Sequence, residues 1–397
     1  LFMKNNSYSL SYIRVLYAMW LVRTVLSYLL TYRKSLLIAD QKEYIASITG
    51  LILNVVSYLA IILLVTWEQN YLLALGIGTV TEVVLNIWIS WYVEQKYPFL
   101  RQRRKEKSTS SLTKRIVRDL KSLFISRISE KMLYCTDNLI ISGFIGVGTV
   151  GRYANYCMIT QAISNILTIL ANTIQPTVGD YFTEKNRQRN YEILRQLTFG
   201  FFCIASVVSV GLFSLITPFV RDIWLGPSYE LGWGITVFCI VVLLVRIMGL
   251  PLSLVMGVTG LFEKEKNVGA SSALLNLIVS LALVKPYGMA GVLLGTLLSY
   301  LLQILYRYII YFRDFLEMPG EALRYAQDIG EYLAVIAGEV LLMQKIVPLI
   351  YGAGGMLLFC VCFLLCIAIP LLLDLVIFGR GWRLQSIVTM VKGMRKA

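Results

Sequence analysis

The stretch KRIVRDLKSLFISRISEKMLYCTDNLIISGFIGVGTVGRYANY, residues 114–156, decides the fold. It opens in basic, water-soluble sequence and turns apolar while still carrying Arg127, Glu130, Lys131, Asp137 and Asn138. A glycine-rich corner from Gly143 to Gly151 then starts a second long apolar helix. At about 100° per residue, Arg127, Glu130, Lys131, Tyr134, Asp137, Asn138 and Ser142 fall within an arc of roughly 140° on one helix face. Lipid cannot solvate such a face, because a charge at the bilayer centre costs at least about 2.5–3.5 kcal/mol. The face therefore lines protein or water, and it reads as one wall of a polar passage through a membrane.

The rest of the chain agrees with that reading. Its 397 residues are 57% hydrophobic, with a mean hydropathy of +0.69. Apolar runs of about 20 residues recur along almost the whole length, the signature of an all-α, polytopic membrane protein. No stretch between them is long enough for a soluble catalytic domain. The net charge of +14 fits cytoplasmic loops under the positive-inside rule, and nothing supports a nucleic-acid surface. Histidine is absent, which excludes histidine bases and ligands. All seven cysteines lie in apolar helices and read as small core residues, so neither metal nor cofactor is expected. Gly146-Val-Gly-Thr-Val-Gly151 matches a dinucleotide fingerprint, but that motif needs a strand before it and a parallel sheet around it. Between membrane helices it predicts a tight outer turn with close helix packing.

The pattern predicts about eleven transmembrane helices. They are centred on residues 10–32, 44–67, 70–93, 116–145, 152–183, 191–219, 233–260, 269–284, 290–312, 328–350 and 354–378. With the polar linker 94–115 in the cytoplasm, cytoplasmic segments hold most of the Lys and Arg, the N-terminus is outside and the C-terminus inside. The tail 379–397 has an apolar stripe flanked by basic residues, as in a helix lying on the membrane surface. Three spans precede the linker and eight follow. This unequal division, with Leu1 in first place, reads as a chain beginning in mid-protein.

Three sets of residues point to chemistry. In the fifth span Gln161, Asn165, Thr168, Asn172 and Gln175 form a helical stripe of donors and acceptors suited to sugar hydroxyls. Pairs of amides also glue membrane helices together, but five groups in register favour a hydrated surface. Cations form the second set: Arg23, Arg127, Lys131 and Arg246 sit deep in spans, whereas Arg14 is placed to snorkel. Cations meeting across a cavity suit a phosphate or diphosphate. Gly249 and Pro251, just after Arg246, are expected to interrupt that helix. The third set is acidic: Glu82, Asp137 and Glu339 lie in mid-membrane, as ion-coupling groups or as partners of the arginines. Asp374 is expected at the interface.

The run TDNLIISGFIGVGTVGRYANY, the amide-striped helix after it, NTIQPTVGDYF, and YRKSLLIADQKEYI earlier in the chain resemble a known family. It is the polysaccharide-transporter branch of the multidrug/oligosaccharidyl-lipid/polysaccharide exporter superfamily, the Wzx-type flippases for O-antigen, capsule or exopolysaccharide repeat units. The resemblance implies two six-helix lobes followed by two further helices. Residues 1–93 would be a partial first lobe of three helices, 94–115 the inter-lobe linker, 116–313 the second lobe, and 314–378 the extra pair. It implies a bacterial inner-membrane transporter, not an enzyme, that flips an undecaprenyl-diphosphate-linked oligosaccharide by alternating access. The lipid bilayer and polysaccharide polymerase machinery are its implied partners. Arg23, Arg127, Lys131 and Arg246 would hold the diphosphate; Asn138, Gln161, Asn165 and Asn172 would meet the sugar; Asp137, Glu82 or Glu339 would couple an ion. A multidrug or metabolite antiporter of the same superfamily is an alternative, although cationic cargo suits an acidic, aromatic cavity better. A membrane polymerase or ligase of lipid-linked sugars is another, and it needs an outer loop longer than the dozen or so residues that this topology allows. A purely structural partner of the sugar-export machinery is the third.

Overall fold

The computed structural model describes residues 10–28, 31–40, 42–68, 71–98, 136–182, 186–259, 261–352 and 354–379. The described residues are helical throughout, with short turns and no strand. The chain divides into two compact units, Asn6–Arg115 and Ile116–Ala397, the latter with Leu1–Asn5. Eight of the described helices are long and apolar enough to cross a membrane, so this is an all-α, multi-pass membrane protein.

In the first unit the expected opening span is two helices, α1 (Leu10–Tyr28) and α2 (Thr31–Ala39), followed by α3 (Glu43–Glu68) and α4 (Tyr71–Lys96). At 1.5 Å per residue the 26 residues of α3 extend about 39 Å, enough for a bilayer core. The helix α4 is central and packs on the other three. Leu37, Ala46, Ile89 and Val93 form the buried core. Polar contacts set the register: Asn86 Nδ2 donates to Ser27 O at 3.2 Å, and Arg33 pairs with Glu94 at 2.6 Å. Gly78 gives the Arg23 guanidinium room to lie on α4, since a Cβ there would stand 2.9 Å from Arg23 Nη1. Outside the spans, Asp40 accepts from Lys42 Nζ at 2.5 Å and Tyr97 Oη at 2.6 Å. These bonds, Lys42 first, hold the Asp40 carboxyl below its ordinary range.

The second unit contains α5 (described over 136–144), α6 (Val147–Tyr181), α7 (Arg187–Pro218, extended by a π turn, Phe219–Trp224), α8 (Trp233–Val258), α9 (Phe262–Ile310), α10 (Pro319–Tyr351) and α11 (Met356–Phe378). The hub is α7, which packs on α8, α10 and α11 and is the most deeply buried span. At one end of α7, Arg195 grips Asp328 of α10 through two hydrogen bonds of 2.7 and 3.1 Å. The helix α8 runs unbroken through Pro251, contrary to the expected interruption. Neighbouring helices satisfy backbone groups that a proline frees inside a membrane protein.

The expected turn between 284 and 290 is present as a reversal inside α9, at Gly288 with φ 58°. Its two arms fold against each other as a hairpin. Ser272, Asn276 and Ser280 of the first arm face Gly291, Gly295 and Ser299 of the second, a close approach that small residues permit. Ser280 Oγ donates to Val292 O at 3.2 Å and Gln303 Nε2 to Ser272 Oγ at 3.0 Å. A Cβ on Gly295 would lie 2.3 Å from Ser280 Oγ and 3.1 Å from Asn276 O. Gly295→Ala is therefore expected to spread the arms and cost about 1–3 kcal/mol, read as a lower melting temperature of the purified protein in detergent. An unchanged melting temperature would refute the close approach.

The glycine corner also differs from expectation. Gly146 alone, at φ 132°, turns the chain between α5 and α6. Gly148 and Gly151 have open space where a Cβ would stand, so they make no close helix contact.

Candidate functional site

Asp137 on α5 is 5% exposed and is held by both arms of α9. Thr296 Oγ1 donates to its Oδ2 at 2.7 Å and Asn276 Nδ2 to its Oδ1 at 3.4 Å. Asn276 Nδ2 also donates to Thr296 Oγ1 at 2.9 Å, and Thr136 Oγ1 donates to Asn276 Oδ1 at 3.1 Å. The hairpin reversal makes this possible by setting residues 276 and 296 opposite each other.

Beside this network a cavity of about 360 Å³ lies between α5, α6, α8 and the second arm of α9. That volume falls in the range of small-molecule sites. Asp137 and Asn138 line it from α5, Tyr153 and Gln161 from α6, Arg246 from α8, and Thr296 and Tyr300 from α9. It thus combines a carboxylate, a guanidinium, amides and phenols. Arg246 is the fourteenth residue of α8, about 20 Å along it, so its charge sits midway along the span in the wall of this cavity.

The structure brings together Asp137, Asn138, Gln161 and Arg246 of the residues singled out from sequence. The rest of the amide stripe divides. Gln161 Nε2 donates to Asn165 Oδ1 at 2.9 Å, and Asn165, Thr168 and Asn172 are exposed on this unit's surface. Gln175 turns instead against α8, close to Gly257. Exposed amides on a membrane helix need water or protein, because lipid offers no partner. In the first unit, Arg23 and Glu82 face each other at 3.6 Å. Glu339 is buried on α10, where Ser206 Oγ donates to it, and does not line the cavity. Arg127, Lys131, the rest of the linker after Pro98 and the amphipathic tail lie outside the described residues. A larger hollow of about 710 Å³, with Arg221, Glu230, Trp233 and Tyr351 in its wall, contains none of the residues predicted from sequence.

The partners of Asp137 were missed. Their signal was present in the spacing of four between Ser272, Asn276 and Ser280, matched by that between Gly291, Gly295 and Ser299.

Residues 1–182 match the model of a family described as polysaccharide biosynthesis protein. Comparison with curated proteins finds no match. Among solved structures the chain is similar to the lipid II flippase MurJ in an inward closed conformation. That likeness has 16% sequence identity and a TM-score of 0.61, and it covers 89% of this chain and 71% of that one. These findings agree with the resemblance read from the sequence: residues 1–182 match the polysaccharide biosynthesis protein model, and the helices share the fold of the lipid II flippase MurJ.

Proposed function

We propose that this protein flips an undecaprenyl-diphosphate-linked oligosaccharide from the cytoplasmic to the outer face of a bacterial inner membrane by alternating access. The observation that carries the proposal is Arg246 in mid-membrane, set in one cavity with Asn138, Gln161 and the phenols of Tyr153 and Tyr300. A guanidinium matches a diphosphate through its planar fork, and amides and phenols suit sugar hydroxyls. The exposed amides of α6 extend the same polar surface. The prenyl tail stays in lipid while the head group crosses. Arg127 and Lys131 enter this proposal from the sequence alone. Arg23 enters as a half-exposed cation steadied by Glu82. Asp137 is the proposed ion-coupling residue, since it is buried in the wall of the same cavity. The proposed domains are a first lobe through residue 93, a linker over 94–115, a second lobe over 116–313 and two further helices over 314–378.

The test is reconstitution in liposomes with a fluorescent undecaprenyl-diphosphate oligosaccharide. Its arrival in the opposite leaflet is followed by quenching with a membrane-impermeant reagent. Protein-dependent transfer is expected, with no transport of a lipophilic cationic dye. Dye transport without lipid transfer would replace this reading with the multidrug antiporter.

A further inference from the structure

Helices α7, α10 and α11 enclose two carboxylates outside the cavity. Glu339 of α10 is 2% exposed and Asp374, near the end of α11, is 4% exposed. Ser206 of α7, fully buried, donates its one proton to Glu339 Oε2 at 2.6 Å. The same hydroxyl stands beside Asp374, which lies within Coulombic reach of Glu339. With its proton committed, Ser206 has only lone pairs to offer Asp374. Both Asp374 oxygens and Glu339 Oε1 are buried without a hydrogen-bond partner.

Among the described residues no Lys or Arg pairs with either carboxylate. Arg195, three turns away along α7, is gripped by Asp328. Cys203 of α7 also stands near both carboxylates. Phe199, Phe202, Tyr332 and Phe378 stack as an aromatic plug next to the pair, with Phe202 and Tyr332 4.5 Å apart. Two ionised carboxylates in so dry a site repel each other, and adjacent carboxyls relieve that repulsion by holding one proton between them. Hard metal ions take six or more oxygens, which is more than these three side chains supply.

We propose that Glu339 and Asp374 form a proton-binding site, in which the protonated carboxyl donates to its neighbour or to Ser206 Oγ. The proton comes from water and returns to it. The assignment does not depend on which substrate the cavity takes, because its readout is protonation rather than transport.

Infrared spectroscopy of the purified full chain in liposomes tests it. At neutral pH the carbonyl absorption of a buried carboxylic acid is expected, slow to exchange in heavy water and absent from the Glu339→Gln/Asp374→Asn double variant. The melting temperature of the unmodified protein should fall as rising pH removes the shared proton, and the double variant should lose that slope. If the double variant fails to fold, Asp137→Asn serves instead, and the absorption must persist in it. Retention of the absorption and slope in the double variant overturns the proposal. So does a sodium-dependent rise in melting temperature, at fixed pH, that only the double variant lacks.

Discussion

Replacing Arg246 with alanine is expected to reduce delivery of lipid-linked sugar to the outer face by about 10- to 100-fold. A hydrogen bond to a charged group contributes about 1.5–3 kcal/mol, and each 1.4 kcal/mol is a factor of ten. The loss should exceed that for a surface arginine because the cavity sits in mid-membrane, where few waters can replace a guanidinium. Arg246→Lys keeps the charge and gives up the planar fork, so an intermediate loss is expected. The measurement is surface polysaccharide in cells dependent on the variant, with the amount of protein in the membrane as control. Undiminished polysaccharide from Arg246→Ala would remove the residue from the substrate path.

The second large effect concerns Asp137. Asp137→Ala removes the acceptor for Thr296 and Asn276 and leaves buried donors unsatisfied, at about 1–3 kcal/mol. Asp137→Asn keeps the shape and removes only the charge. If Asp137 couples an ion, the asparagine variant remains folded, and transfer of lipid-linked sugar in liposomes no longer responds to an imposed sodium or proton gradient. If the residue is only a structural clamp, the asparagine variant melts lower and keeps its gradient response. Comparing the melting temperature with gradient dependence separates the two roles.

Much of this arrangement was legible in the sequence, for physical reasons that vary with the residue. Helix positions followed from apolar runs, and the hairpin turn in α9 from the break between the runs 269–284 and 290–312. Arg246 and Asp137 were conspicuous because a charge in a membrane span needs a solvated site. Asn276 and Thr296 were not, because single amides and hydroxyls are common in membrane helices and their facing partners depend on the fold. The burial of Asp374 was not legible, because distance from a span's end says nothing of which side faces a neighbour. Pro251 misled for a related reason: a proline disrupts an isolated helix but is accommodated among packed ones.

The amide ladder on α6 bears on how the protein is made. Of the eight candidate spans, α6 is the least apolar, and Asn165 and Asn172 stay exposed even after its own unit has formed. A segment leaving the ribosome with that composition has weak grounds to settle in lipid unaided. Its stable insertion depends on a neighbour being present to shelter the ladder, so biogenesis of this chain is tied to the order in which its helices emerge.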